Sequence, residues 1–374
     1  MKIKALYIHI PFCRMICSYC DFYKMVAKPS LQTEYIDHLI KELELKKPYL
    51  KDIQTIYIGG GTPTALPLHL LDFLFYYLHQ NIDFTQVKEF TIEGNPNDIT
   101  EELTELLVKW NVNRVSLGVQ TLHKEKLKFL NRSHHEKEVR NAVALLKKAG
   151  IKNINADIIF GSPQDNWKLI RSDLTKIINM GVTHLSVYSL ILEEKTILYY
   201  LFQKNQFQPM NPDTEALLYN KIKGFLKKYG FKQYETSNFA LKGKESIHNL
   251  TYWNNESYAG IGSGASYYID YIRYTNIKNL NSYFKGVSTD QLIFEEQIVI
   301  TKEEQMMEEM MLGLRKTEGV SLRNFQDKYH CTIEEAFPKI KQLIREKKLF
   351  IKKNHIIIPE SLQFVANSIL MEFV

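Results

Sequence analysis

The feature that most limits what this chain can fold into is an alternation. Over residues 1–190, short apolar runs of strand length take turns with longer amphipathic runs of helix length, six times over. The strand candidates are Lys4–Ile10, Thr55–Ile58, Glu89–Ile92, Arg114–Val119, Asn153–Ile159 and Leu185–Leu190. Between them, the 3.6-residue apolar spacing predicts helices over Glu34–Glu44, Leu68–His79, Glu101–Trp110, Glu136–Ala149 and Leu169–Met180. Gly150 and Gly181 follow two of these helices, where a C-terminal stop is expected. Strands that alternate with helices pair in parallel, because a parallel crossover needs the length of a helix. The expected fold is therefore α/β: a parallel sheet wrapped as a full or partial (β/α)6 barrel of the TIM type. Its interior is expected to be filled by Val, Ile and Leu, with any ligand site at the C-terminal strand ends. Those ends carry Gly59-Gly60-Gly61-Thr62, Glu93, Gln120 and Asp157.

The loop after the first strand carries Cys13-Arg-Met-Ile-Cys17-Ser-Tyr-Cys20, which holds three of the four cysteines; Cys331 is far away in sequence. Three clustered thiolates suit three corners of a [4Fe–4S] cube and leave the fourth iron open to a small molecule such as S-adenosylmethionine (SAM). A zinc site would need a fourth ligand, for which His9 is the neighbouring candidate, but C-x3-C-x2-C is not a usual zinc spacing. Structural disulfides do not fit four cysteines in 374 residues, and the composition points to a reducing compartment. Gly59-Gly60-Gly61-Thr62-Pro63 lacks the G-K-[ST] ending of a phosphate loop; its glycines let backbone approach a ligand closely.

Composition excludes more than it assigns. With 45% hydrophobic and 24% charged residues, the chain has ordinary globular balance, and a net charge of +6 spread over mixed helix ends does not call for nucleic acid. No apolar run reaches membrane-spanning length and no targeting segment is visible, so a cytoplasmic location is expected. The alternation fades after Asn211. The expected division is a barrel core over 1–235, an irregular Gly- and Tyr-rich region over 236–300, and a small winged-helix-like domain over 301–374, where helical patterns precede a hairpin turning at Lys353-Asn354. The methionines at 306, 307, 310 and 311 read as an apolar helix face.

Taken in order, Tyr7, the cysteine triplet, Gly-Gly-Gly-Thr-Pro, Glu93-Gly-Asn-Pro96, Gly118-Val-Gln120, Asn131-Arg132, Asp157 and Gly161 resemble the radical SAM superfamily. Within it they are most similar to the branch of oxygen-independent coproporphyrinogen III oxidases and the related haem chaperones of the HemW type. The resemblance covers nearly the whole chain. It implies that Cys13, Cys17 and Cys20 ligate a [4Fe–4S] cluster. It also implies that Tyr7, Gly60, Glu93, Gln120, Arg132 and Asp157 line a SAM site, with Tyr19 against the adenine and Gly61 and Thr62 nearby. Each role suits its residue: carboxylates meet the ammonium or sulfonium, and Arg132 meets the carboxylate.

The stretch His248-Asn249-Leu-Thr-Tyr252-Trp253 resembles the haem-binding segment of the chaperones, which implies His248 as an axial haem ligand with Tyr252 and Trp253 on the porphyrin face. The oxidase pattern has a fourth cysteine two residues after the third and a long arm before the first; here Asp21-Phe22 follows Cys20 and Cys13 comes almost at once. The chain is thus expected to bind haem and deliver it to acceptor haemoproteins, membrane respiratory proteins among the candidates, with a flavodoxin or ferredoxin as electron donor. Two alternatives stay open. One is an enzyme that cleaves SAM reductively and decarboxylates coproporphyrinogen III to protoporphyrinogen IX. The other is an iron–sulfur protein without haem.

Overall fold

The computed structural model describes residues 2–373. Strands β1 (Ala5–Ile10), β2 (Thr55–Gly60), β3 (Glu89–Gly94), β4 (Arg114–Gln120), β5 (Asn153–Phe160) and β6 (His184–Ser189) lie side by side in sequence order, each parallel to the next. They fall where the apolar runs predict. The crossovers carry α1 (Pro29–Leu45), α2 (Leu68–Asn81), α3 (Glu101–Lys109), a short α4 (Lys124–Phe129) that the spacing did not reveal, α5 (Glu136–Lys148) and α6 (Trp167–Met180). Helix α6 ends on Gly181 at φ 94°, a left-handed stop that glycine adopts without steric cost.

The six parallel strands do not close on themselves. After α7 (Ile197–Gln203) and α8 (Pro212–Lys228), β7 (Lys232–Gln233) and β8 (Asn238–Ala240) extend the sheet antiparallel beyond β6. After α9 (Ile247–Trp253), β9 (Ala259–Ile261) returns to pair parallel with β1 at the opposite edge. The result is a nine-stranded curl with β7 and β9 at its two ends.

Side chains alternate between the two faces of the sheet. Leu6, Ile8, Ile10, Ile56, Ile58, Val115, Leu117 and Val119 are fully buried and join Ile36, Leu39 and Leu43 of α1 and Leu71, Leu74 and Phe75 of α2 in one apolar core. Burying each such side chain contributes about 1.5–3 kcal/mol. The alternate positions carry Tyr7, His9, Tyr57, Thr91, Glu93, Ser116, Asn155, Asp157, His184 and Ser186. This corrects the expectation of an aliphatic interior: the inner face is polar along its length, and the apolar set packs outward against the helices.

Region 236–300 is also more ordered than expected. Besides β8, α9 and β9 it holds an antiparallel sheet of β10 (Ser266–Ile269), β11 (Ile272–Asn276) and β12 (Phe294–Val299), with α10 (Leu280–Ser288) between the last two. The β10–β11 hairpin turns at Asp270-Tyr271, both left-handed at φ 50° and 63°. Such a turn usually advertises itself as Asn-Gly or Asp-Gly, so a tyrosine there conceals it.

At the C-terminal end, α11 (Lys302–Gly313), β13 (Val320–Ser321), α12 (Leu322–Tyr329), α13 (Ile333–Ala336), α14 (Ile340–Arg345), β14 (Phe350–Lys352) and β15 (His355–Ile357) follow the helix and strand order of a winged helix. Strand β15 pairs with both β13 and β14, and the hairpin turns at Lys353-Asn354 as predicted. This unit has a second apolar core around Met310, Phe325, Tyr329 and Ile356; Met306 and Cys331 pack against it, their sulfurs 3.7 Å apart. A last helix, α15 (Ala366–Leu370), closes it. Among the described residues no helix is long and apolar enough to cross a membrane.

One buried carboxylate organises the N-terminal end of the barrel. Glu89, the first residue of β3, accepts hydrogen bonds from Ser246 Oγ (2.8 Å) and from the backbone N–H groups of Ile247 (2.8 Å) and His248 (3.2 Å), so it caps α9. Arg114, the first residue of β4, sits 3.2 Å from Glu89 and donates to the carbonyls of Lys244 and Glu245. Removing one partner of a buried ion pair strands the other charge. Glu89→Ala should therefore lower unfolding stability by about 3–5 kcal/mol in urea titration; a loss well under 1 kcal/mol would show that α9 is held by other means.

Candidate functional site

The C-terminal ends of the strands enclose a cavity of about 420 Å³. Its mouth is the loop after β1, whose shape is set by backbone contacts. Cys13 N–H donates to Met25 O (2.8 Å), Met25 N–H to Pro11 O (2.7 Å), and Ser18 N–H to Leu130 O (3.2 Å). Asn131 Nδ2 donates to Ile16 O at 2.8 Å, and Arg14 pairs with the buried Asp98 at 2.9 Å. Cys13, Cys17 and Cys20 are free thiols, each half-buried, and all three border the cavity. Arg132 Nη1 lies 3.3 Å from Cys17 Sγ, and Thr62 Oγ1 lies 3.6 Å from Cys13 Sγ. Burial pushes the Cys13 thiol up to about 11 and raises that of Cys20, so both are protonated at neutral pH unless a metal takes the proton's place.

Around the mouth the strand ends bring further polar groups together. Gly60, at φ 110°, lies where any added Cβ would fall within 2.5 Å of the His9 ring, and its N–H donates to Glu93 Oε2 at 3.2 Å. Tyr57 donates to Glu93 Oε1 at 2.7 Å. Burial pushes the Glu93 carboxyl up to about 7; the Tyr57 hydrogen bond lowers it and the neighbouring Asp157 charge raises it. Asp157 accepts from Asn155 Nδ2 (2.7 Å) and Ser116 Oγ (3.2 Å), and burial raises it too. The β4 ladder slips between Gly118 and Gln120, and Gln120 is left-handed at φ 65°. That slip costs backbone energy and keeps Gln120 on the cavity side. Arg132 reaches across to Asn95 Oδ1 (2.6 Å) and to the Gly118 carbonyl. Tyr19 borders the cavity and packs with Leu130, Ile159 and Leu198.

Of the residues singled out in the sequence, the cavity gathers the three cysteines, Tyr19, Gly60, Gly61, Thr62, Glu93, Gln120, Arg132 and Asp157. Tyr7 and His248 are not among its walls. Tyr7 faces a separate cleft, its hydroxyl 2.9 Å from His9 Nδ1. His248 is fully buried, with Nδ1 2.9 Å from Thr55 Oγ1, Nε2 2.6 Å from the Tyr252 hydroxyl, and its ring stacked on Tyr57. Burial lowers it to about 3. In this arrangement both ring nitrogens are engaged in hydrogen bonds. It also lies at the first residue of β2, a strand length of roughly 17 Å from the Gly60 end. His9 is no zinc ligand, since Nε2 is 2.9 Å from Tyr23 O and Nδ1 is bonded to Tyr7. Polar wall residues missed in the sequence include Tyr57, Asn95, Ser116, Asn155, His184 and Ser186. The period-two alternation along β2–β6 is the signal that would have found most of them.

The donor set fits an iron–sulfur cluster better than a single ion. Among the described residues no three His, Cys, Asp or Glu side chains converge on one metal position, whereas a cube is held by thiolates on separate irons. The wall beyond the thiols includes the carboxyls of Glu93 and Asp157 and the guanidinium of Arg132, the complements of an amino acid's ammonium and carboxylate.

A parallel (β/α) barrel with a three-cysteine loop at its C-terminal mouth defines a radical SAM protein. The family model described as "Radical SAM superfamily" matches residues 7–177, and the "HemN C-terminal domain" matches residues 300–360. The chain is 40% identical to the haem chaperone HemW of Lactococcus lactis over 95% of this chain and 93% of that protein. It is 38% identical to the haem chaperone HemW of Bacillus subtilis over 92% of each. The solved structure of coproporphyrinogen III oxidase HemN from Escherichia coli superposes with a TM-score of 0.87 at 20% identity, covering 100% of this chain and 90% of that one. The chain belongs to the radical SAM superfamily, in the branch of HemN and the HemW proteins, and the superfamily implies a [4Fe–4S] cluster and SAM as its cofactors.

The Glu93 shift carries a pH signature. Between the usual 4.5 and about 7, the folded protein holds a proton on Glu93 that the unfolded chain releases. Stability of the metal-free protein should therefore fall as pH rises through that window, and Glu93→Gln should flatten the fall in thermal melts. An unchanged slope would mean that the carboxyl is not buried as found.

Proposed function

We propose that this chain is a haem chaperone built on a radical SAM core, which binds haem and passes it to acceptor haemoproteins. The observation that carries the reading is the near end-to-end match to two proteins named haem chaperones. Cys13, Cys17 and Cys20 hold three irons of the cluster, and the fourth iron is left for SAM. When bound, the pair supplies one-electron chemistry shielded from water by the barrel. Glu93 and Asp157 receive the ammonium and sulfonium side of SAM, Arg132 its carboxylate, Gln120 the ribose, and Tyr19 the adenine. Gly60, Gly61 and Thr62 bring backbone against it. The working compartment is the cytoplasm, and a flavodoxin or ferredoxin is the electron donor.

Residues Asp21-Phe22 support the chaperone over an oxidase. Phe22 stands 67% exposed beside the half-exposed Met15 and the exposed Ile191, so the mouth has an open apolar rim where the oxidase pattern has a further cysteine. A second reading, porphyrinogen decarboxylation, draws on the fold shared with HemN; at 20% identity that likeness speaks for the architecture alone.

Two measurements follow. Cys17→Ala, reconstituted anaerobically, should lose most of its iron and the visible absorption of the cluster; iron content equal to the parent protein would remove Cys17 from the ligand set. Haem-loaded protein mixed with an apo-haemoprotein should give up its haem, with the acceptor's spectrum growing faster than from free haem at equal concentration. Haem that stays bound, or transfers no faster than free haem, contradicts the chaperone reading.

A further inference from the structure

Cys13 and Cys17 each receive a side-chain hydrogen bond, and one amide stands behind both donors. Arg132 Nη1 donates to Cys17 Sγ at 3.3 Å, and Thr62 Oγ1 donates to Cys13 Sγ at 3.6 Å. Between the two donors lies Asn95, in the turn after β3. Its amide bonds to Arg132 on one side and to Thr62 on the other. The turn is itself clamped to the cysteine loop: Asp98 N–H donates to Asn95 O at 3.0 Å, and the Asp98 carboxylate pairs with Arg14 at 2.9 Å.

The direction of each bond follows from what its partners can do. A guanidinium has only protons to give, so the Asn95 atom 2.6 Å from Arg132 Nη2 is the amide oxygen. The amide nitrogen then faces Thr62 Oγ1 at 3.3 Å and donates to it. With its oxygen accepting, the Thr62 hydroxyl keeps its own proton for Cys13 Sγ. Donation thus runs one way, from guanidinium to amide to hydroxyl to sulfur, while a second nitrogen of the same guanidinium reaches the other sulfur. The Gly118 carbonyl accepts from Nη2 as well, so Arg132 is held from two sides.

Resting on the cysteine ligand set proposed above, we infer that Asn95 is a positioning residue that raises the reduction potential of the cluster by aiming Arg132 and Thr62 at two of its sulfurs. The two thiols stand in for cluster-bound thiolates, which can only accept. An electron added to the cluster, from a low-potential donor outside the protein, increases the charge on those sulfurs. Donors aimed at them therefore stabilise the reduced cluster more than the oxidised one. No proton has to move with the electron, because each donor keeps its own. Without the Asn95 amide, Arg132 loses one of its two anchors. The Thr62 hydroxyl loses the N–H that directs its proton to Cys13. Both bonds to sulfur then loosen and the potential falls.

The test is a reductive titration of the anaerobically reconstituted full chain without SAM, with dithionite and low-potential mediator dyes. It is read by electron paramagnetic resonance of the reduced cluster. Asn95→Ala should keep the parent iron content and shift the reduction equilibrium about tenfold toward the oxidised form, a fall of about 59 mV for one electron. Thr62→Val keeps the shape and removes the hydroxyl proton, and should lower the potential by a smaller step. Asn97→Ala, in the same turn but bonded to the Ser133 hydroxyl, should leave it unchanged. Asn95→Ala with full iron at the parent potential overturns the inference. If Asn95→Ala assembles no cluster, Thr62→Val decides: a lowered potential supports the inference and the parent potential overturns it. If the unmodified chain itself assembles no [4Fe–4S] cluster, the cysteine ligand set fails, and the inference falls with it.

Discussion

In a strand, side chains alternate between two faces, and nearly everything in this molecule follows from which face of the barrel was made polar. Leu6, Ile8 and Ile10 on β1, and Val115, Leu117 and Val119 on β4, bury their apolar surface outward against the helices. The inner face is left to Glu93, which accepts from Tyr57, and to Ser116, Asn155, Asp157 and His184, which are joined through hydrogen bonds. A polar interior cannot collapse on itself as an aliphatic one would. It stays open as a cavity, and the half-closed sheet gives that cavity a mouth wide enough for a cluster-bearing loop.

The two ends of this barrel are built differently. At the C-terminal end, ionisable groups sit in a cavity with their protonation displaced by burial: Glu93 is pushed up to about 7 and the Cys13 thiol to about 11. Such displaced groups are what a site poised to bind charged ligands looks like. At the N-terminal end, the same low dielectric is met by pairing. Glu89 is held by Arg114 and by the amides of α9, and that helix brings Tyr252 to a cleft on the far side of β1. The cysteine loop borders both spaces, since Phe22 lines the cavity and the cleft alike.

Much of this was legible in the sequence because it depends on local pattern. The six parallel strands announce themselves as apolar runs; the cysteines, Gly60, Glu93, Gln120 and Arg132 fall near strand ends or in the connections after them, while Asp157 lies within β5. What was hidden depends on contacts distant in sequence. That the β2–β6 inner face is polar follows from alternation, but which face turns inward is decided by helices packed on the other side. Strands β7, β8 and β9 have only two or three residues each, too few to show a period. His248 is expected as a haem ligand from the resemblance of its segment to that of the chaperones, and its surroundings were not legible there. Its partners Thr55 and Tyr57 lie 193 and 191 positions earlier in the chain, and they turn its ring into a buried, neutral hydrogen-bonding group.

The proposed function is that this radical SAM barrel serves haem delivery rather than porphyrinogen oxidation. Its most direct test is one anaerobic preparation, reconstituted with iron and sulfide, split between a haem titration and incubation with coproporphyrinogen III, SAM and a reductant. Haem bound in stoichiometric amount, with no decarboxylated porphyrinogen formed, is the expected result. Turnover to protoporphyrinogen IX would contradict it and would make the chain an oxidase that works without a fourth clustered cysteine.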